Sequence, residues 1–313
     1  MNFVNLKREK LTVTYAGVTY SKEFYIPATT VTGITNEAYA NWNANTTYAS
    51  GTYVIIPELK SIYKSSADSN TGIFPPSNTD KWTFWGYVNN MNMFACDENI
   101  GSQTKGIDVI VTMPFNQSNI LALVDTDFST VNIRQIDLNT NEEIVNIDIN
   151  SRDISCSSFA EYCYKKTILQ RKVIIDNLEW RPNSKVVLTF SGACAIGTIC
   201  QGLLQELGVT LYGTSLSWES KSKIKTDEFT SYRTVLRYGK VRVLSVQVLF
   251  EVDEFNKTAL LIDTILDRNI LFIPTELDIF SELISIGYIE NFKLPLENPN
   301  KILTTTQIVG VVN

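Results

Sequence analysis

The chain has 313 residues, 44% hydrophobic and 19% charged, with 27 Lys and Arg against 33 Asp and Glu for a net charge of −6. No block of Lys and Arg stands out, which argues against a nucleic-acid partner held through its phosphates. Histidine is absent, so Ser-His-Asp and Cys-His catalysis are excluded within the chain, and no metal or cofactor site is assigned.

Charged residues fall below their usual share of about 25%, while Asn, Thr and Ser are plentiful, a mixture that suits β-strands joined by polar turns. The opening MNFVNLKREKLTVTY has no apolar signal-peptide core. No apolar run reaches the ~20 residues of a membrane-spanning helix, so no membrane insertion is expected. Residues 9–34 alternate in a strand-like way, with a hairpin predicted about Ala16-Gly17. From about Asn41 to Gly86 the texture changes to Trp, Tyr, Asn, Ser, Gly and Pro. Disordered linkers are poor in aromatics, so this segment reads as a small folded insert.

Strand signals return from Phe94 to Leu211. GIDVIVTMPF, NILALVDTD, TVNIRQIDL, EIVNIDIN, KVIIDNL and KVVLTF are short β-branched runs at the spacing of a sandwich or barrel, and residues 158–166 are expected to form one or two helical turns. The five cysteines, Cys96, Cys156, Cys163, Cys194 and Cys200, are odd in number and show no CxxC spacing. Cys194 and Cys200 are expected as small buried hydrophobes. Residues 191–213 carry recurrent glycines without the order of a phosphate loop, and are read as strands bent by Gly. In the last hundred residues KVRVLSVQVLFEV is a strand. EFNKTALLIDTILDR has helical periodicity through Phe255, Ala259, Leu260, Ile262, Ile265 and Leu266, and NILFIP, ELISIGYIENFKL and TTTQIVGVVN are further strands. The expected division is 1–40 (strands joining the sandwich), 41–88 (insert), 89–214 (β-sandwich) and 215–313 (β-rich with one helix).

Within the insert, Trp42, Tyr48, Gly51, Val54, Tyr63, Asn70-Thr71-Gly72, Pro75-Pro76, Trp82 and Trp85-Gly86 follow one another in a pattern that resembles the small chitin-binding-type carbohydrate-binding modules of families five and twelve. In chitin-binding members an aromatic pair facing the sugar follows the central Tyr; here Ser65 to Asn70 contain no aromatic. A sugar site needs exposed aromatic faces beside short polar side chains, and Tyr53, Trp82 and Trp85 are the candidate glycan contacts. So small a module also has to use aromatics for its own core. Trp42 and Tyr63 are assigned there, and Tyr53 and Trp85 fit either role.

A second resemblance covers more of the chain. The run Trp85 to Phe94, then Gly101-Ser102-Gln103-Thr104, Leu207 to Gly213, Ser220 to Lys223, Asp227-Glu228-Phe229 and Arg237 are similar to stretches of tailed-bacteriophage structural proteins that carry such a module. The chain departs from them at Thr230, where Gly is usual, and at Met91-Asn92, where a more aromatic pair is common. The resemblance implies a mostly β protein: a jelly-roll-like β-sandwich, a small carbohydrate-binding-like insert and a C-terminal β-rich, α+β domain. It implies a virion component of the tail, collar or baseplate region, made in the host bacterial cytoplasm and contributing to glycan attachment or fibre anchoring. Its partners would be other virion proteins, further copies of itself in a symmetric ring, and a bacterial surface glycan. Two alternatives stay open. A virion-borne glycan depolymerase would need a carboxylate pair, for which Asp125/Asp127, Glu142/Glu143 and Asp227/Glu228 are candidates. A pure assembly adaptor would use the insert to bind protein only.

Overall fold

A computed structural model describes residues 1–96, 104–151, 158, 171–220, 222–226, 233–236, 240–266, 268–275, 282–295 and 300–310. It is mostly β and sandwich-like, as the composition and strand spacing predict. In chain order the strands begin with β1 (Asn2–Leu6), β2 (Arg8–Tyr15), β3 (Val18–Tyr25), β4 (Thr30–Ile34), β5 (Ala40–Asn41), β6 (Thr47–Tyr48), β7 (Tyr53–Ile56), β8 (Ser61–Ser65), β9 (Asn70–Thr71) and β10 (Trp82–Tyr87). Then come β11 (Thr104–Pro114), β12 (Ile120–Val124), β13 (Thr130–Asp137), β14 (Glu143–Asn150), β15 (Val173–Ile175), β16 (Ser184–Ser191), β17 (Ala193–Ile196) and β18 (Thr198–Glu206). The last are β19 (Val209–Thr210), β20 (Ser215–Ser220), β21 (Lys223–Thr226), β22 (Arg233–Leu236), β23 (Lys240–Glu251), β24 (Ile270–Ile273), β25 (Ser285–Asn291) and β26 (Lys301–Gly310).

The chain divides into two compact units, one drawn mainly from Lys7–Asp97 and Ser102–Gln201, the other mainly from Met1–Leu6 and Gly202–Asn313. In the first, one sheet runs β14-β13-β16-β11, with β17 and β4 also paired to β11. A second layer holds β15, β12 and the start of β18. Strand alternation explains the core. Val109, Val111 and Met113 of β11 are fully buried while Ile110 between them is exposed, and they meet Leu123, Val131, Leu188 and Ile199 in one apolar cluster. The insert's exit feeds this cluster, since Met91, Met93 and Phe94 are all buried in it. Residues 8–25 form the predicted hairpin. Ala16 (φ 50°) and Gly17 (φ 80°) both have positive φ, as a type I′ turn requires.

The glycine-rich stretch consists of strands, as read from the sequence. Gly192 (φ 77°) breaks one long strand into β16 and β17, and its N–H donates to the Asp108 carboxylate at 2.7 Å. In the second unit a Cβ on Gly202 would lie 2.2 Å from the Asn5 carbonyl oxygen, so only glycine lets β1 lie against β18 here. Cys194 and Cys200 are buried free thiols, and burial pushes both above the ordinary thiol range. Cys156, Cys163, Asp227, Glu228 and, apart from Ser158, the helical turns expected at 158–166 lie outside the described residues.

In the second unit the sheet runs from the end of β18 through β1, β24, β25, β26 and β23, which carries both β19 and β20. The predicted helix is present at Phe255–Ile265, but its buried stripe is narrower than the periodicity suggests: Thr258, Ile262 and Ile265 face inward, and Leu260 is 70% exposed.

Ala16 occupies left-handed backbone at a cost that Asn largely avoids. Replacing it (Ala16→Asn) is expected to stabilise the protein by about 0.5–1 kcal/mol, read as a rise in the thermal unfolding midpoint with an unchanged circular dichroism spectrum.

Candidate functional site

The insert builds its own small sheet, β10-β8-β7-β5, with β6 and β9 paired beside it. Alternation along these strands assigns each aromatic to a face. Val54 lies opposite Tyr63, and Phe84 opposite Tyr63 from the other side; Tyr53 lies opposite Lys64, and Thr83 opposite Lys64. Strand β10 then bulges. Phe84 pairs with Tyr63 and Gly86 with Ile62, which leaves Trp85 as the extra residue. Alternation places Trp85 on the face opposite Phe84, and the extra residue returns Tyr87 to the Phe84 face, their rings 5.2 Å apart.

One face is sealed. Tyr48, Val54, Ile56, Leu59, Tyr63, Phe74 and Trp82 form a separate apolar cluster, covered by the β2–β3 hairpin through Val13, Tyr15 and Tyr20. Tyr15 stacks on Phe74 at 4.6 Å and meets Trp42 edge-on at 5.5 Å. Lys22 lays its stem over the sheet with Nζ 4.2 Å from the Phe84 ring centre. Trp82 is the centre of this packing. It is 1% exposed, contacts Tyr48 edge-on at 5.4 Å, and its Nε1–H donates to the Ile73 carbonyl at 2.9 Å. The expectation that Trp82 contacts a glycan is therefore corrected: neither face of its indole is open, because a module this small needs its largest ring for burial. Tyr63 takes the core position expected of it, and Trp42, half-buried, packs against the same cluster.

The other face is open at one end. Its lower part, Ile55 and Ile62, packs onto the sandwich core. Its upper part carries Tyr53 and Trp85, with ring centres 5.2 Å apart at 70°. Tyr53 also stacks against Tyr39 at 5.0 Å and 21°. Lys64 Nζ lies 5.6 Å from the Tyr53 ring centre and 5.5 Å from that of Trp85. Trp85 is 58% exposed and Tyr39 39% exposed, whereas Tyr53 is half-buried between its neighbours. On this face the free ring area belongs to Trp85 and Tyr39, and Tyr53 holds the two in place; Phe84, also 39% exposed, lies on the other face beside Lys22. Hydroxyls of Ser66, just past the end of β8, and of Thr83 on β10 are hydrogen-bonded at 2.8 Å near Lys64. Sequence reasoning missed Tyr39 and Lys64. Tyr39 stands just before the insert's expected start, and it reaches Tyr53 because β5 pairs with β7 in parallel, Ala40 opposite Val54. Lys64 has a signal in hindsight: it follows the buried Tyr63 and so must face the other way.

Entry and exit of the insert are tied at one residue. The Asn89 N–H donates to Glu37 Oε2 at 3.0 Å, its Nδ2 donates to the Thr35 and Lys105 carbonyls at 2.8 and 3.2 Å, and its own carbonyl accepts from Thr104 Oγ1 at 2.6 Å.

The two described acidic pairs, Asp125/Asp127 and Glu142/Glu143, lie at turns and strand ends. Asp127 exchanges backbone hydrogen bonds with Ala195 at 2.8 Å, and Glu143 lies 3.9 Å from Arg134. Among the described residues no group of three or more His, Cys, Asp or Glu is placed to hold a metal, and no helix is long and apolar enough to cross a membrane. A concavity of about 600 Å³ in the second unit is lined by Gly208 to Thr214 and Pro274 and holds none of the predicted residues. Comparison with protein-family models, with curated proteins and with solved structures found no match.

The two tryptophans of β10 should separate cleanly in stability. Trp82→Ala is expected to cost about 3–5 kcal/mol, as for a large ring removed from a core, and Trp85→Ala less than about 1 kcal/mol, both read by chemical denaturation. Alkali provides a second check. Burial raises the Tyr63 hydroxyl from 10.0 to about 12, so the folded state favours its neutral form. That contribution is complete below pH 10 and is lost as pH rises from 10 towards 12. Tyr63→Phe should flatten this part of the stability–pH curve.

Proposed function

We propose that the chain is a non-enzymatic structural component of a tailed-bacteriophage particle, from the tail, collar or baseplate region, which contacts a host-surface glycan through its insert. The observation that carries the glycan contact is the Tyr39–Tyr53–Trp85 cluster with Lys64. Tyr53 packs on the sandwich core and holds the other two, while Trp85 and Tyr39 keep exposed ring area that neither this core nor the insert's own core takes up. Aromatic faces stack on the C–H face of a pyranose ring, and an ammonium with neighbouring hydroxyls bonds its substituents. The virion assignment rests on the resemblance of the stretches from Trp85 to Arg237, and the non-enzymatic reading on a composition that lacks the usual general base.

The test is binding of the full chain to an array of bacterial envelope glycans. Trp85→Ala and Tyr39→Ala should each weaken binding at least tenfold, the scale of about 1.4 kcal/mol for one lost stacking ring, with an unchanged unfolding midpoint. Release of reducing ends from a bound polysaccharide would replace this reading with a depolymerase. Binding that survives both substitutions would remove the platform from it.

A further inference from the structure

Lys64 stands in the middle of the aromatic platform. It lies on β8, an inner strand of the insert's sheet, with Tyr53 of β7 opposite it on one side and Thr83 of β10 on the other. Its Nζ is almost equally far from the ring centres of Tyr53 and Trp85, 5.6 and 5.5 Å. The residue is half-buried, so part of its rotamer freedom is already lost. Among the described residues, which include the whole insert, no carboxylate forms an ion pair with it. Asp68, the next acid in the sequence, accepts at Oδ1 from the Ser50 N–H at 2.9 Å, and Glu37 is taken up by the Asn89 N–H at 3.0 Å. Residues 41–88 balance Glu58, Asp68 and Asp80 against Lys60, Lys64 and Lys81. The cation at the rings is therefore a local feature of the platform and not part of a generally basic module.

We propose that the platform selects an acidic sugar, a hexuronic acid whose pyranose ring stacks on Trp85 and whose carboxylate meets Lys64. This deepens the glycan reading and rests on it. A hexuronic acid carries its carboxylate directly on a ring carbon, at the edge of the sugar. A pyranose lying on the indole thus holds that group beside the indole's own neighbours, among which Lys64 is the cation. Rings on two sides of the ammonium exclude part of its water, which strengthens a charge-assisted hydrogen bond formed there. A neutral sugar offers the ammonium hydroxyls only. A phosphodiester lies between sugars, outside the ring that stacks.

The test uses the full chain with oligomers of galacturonic, glucuronic and mannuronic acid, each beside its carboxyl-reduced, neutral form, in titration calorimetry. At least one acidic form should bind about tenfold more tightly than its neutral counterpart, and the margin should shrink as salt is raised. Lys64→Met keeps the apolar stem and should erase the margin while leaving the neutral form's affinity unchanged; Lys64→Arg should retain most of the margin. Trp85→Ala should weaken both forms alike. Equal binding of the two forms, or a margin that survives Lys64→Met, overturns the acidic selection and leaves the platform standing. Binding that ignores Trp85→Ala overturns the platform and this inference with it. Failure to bind any of the oligomers, or tighter binding of poly(glycerol phosphate) than of every uronate, overturns the carboxylate.

Discussion

The burial of Trp82 is the constraint on which the site depends. Its indole is enclosed by Tyr48 and held by the Ile73 carbonyl, so β10 can lie on the insert's sheet in one phase only. Side chains alternate from that anchor: Phe84 shares the face of Trp82, while Thr83 and Trp85 turn to the other, where Trp85 lies beside Tyr53 and Lys64. Slipping the strand by one residue would exchange the faces and expose the ring that the core requires. The exposed platform is thus a consequence of the buried face, and no separate loop has to shape it.

That small sheet is supported from two sides. The β2–β3 hairpin lays Tyr15 and Tyr20 over the Phe74 side of the cluster, supplying apolar surface that about fifty residues of insert cannot supply alone. At its base, Ile55, Ile62 and Tyr87 belong to the sandwich core or pack on it, and Asn89 joins the segments entering and leaving. A rigid mounting of this kind suits a surface that presents preformed rings, because little side-chain freedom is left to lose on contact. The aromatic neighbours of Tyr53 act in the same sense, with Tyr39 stacked on it and Trp85 edge-on.

Much of the architecture was legible. The Ala16-Gly17 hairpin, the β-branched runs from residue 104 to 190, the bent glycine-rich strands and the helix at Phe255–Ile265 all follow from local periodicity and turn chemistry. The site was legible in part. An aromatic-rich insert showed itself by composition, and Tyr53 and Trp85 came from it. The residues that went wrong or unseen are those whose roles are set by partners distant in sequence. Trp82 and Trp85, three residues apart, must lie on opposite faces of β10, but only the packing of Tyr48 and of the β2–β3 hairpin decides which of the two faces is covered. Tyr39 gains its role only through the parallel pairing of β5 with β7.

Composition and alternation by themselves determined that this chain is built of short antiparallel strands, lacks histidine chemistry and sets aside a segment of aromatics, because those properties are local and additive along the chain. Tertiary structure alone decided which rings are core and which are surface, and which glycines are held by close backbone approach. Each of these depends on what lies across from a residue in space, and register, bulges and long-range pairing leave no mark on the residues taken one neighbourhood at a time.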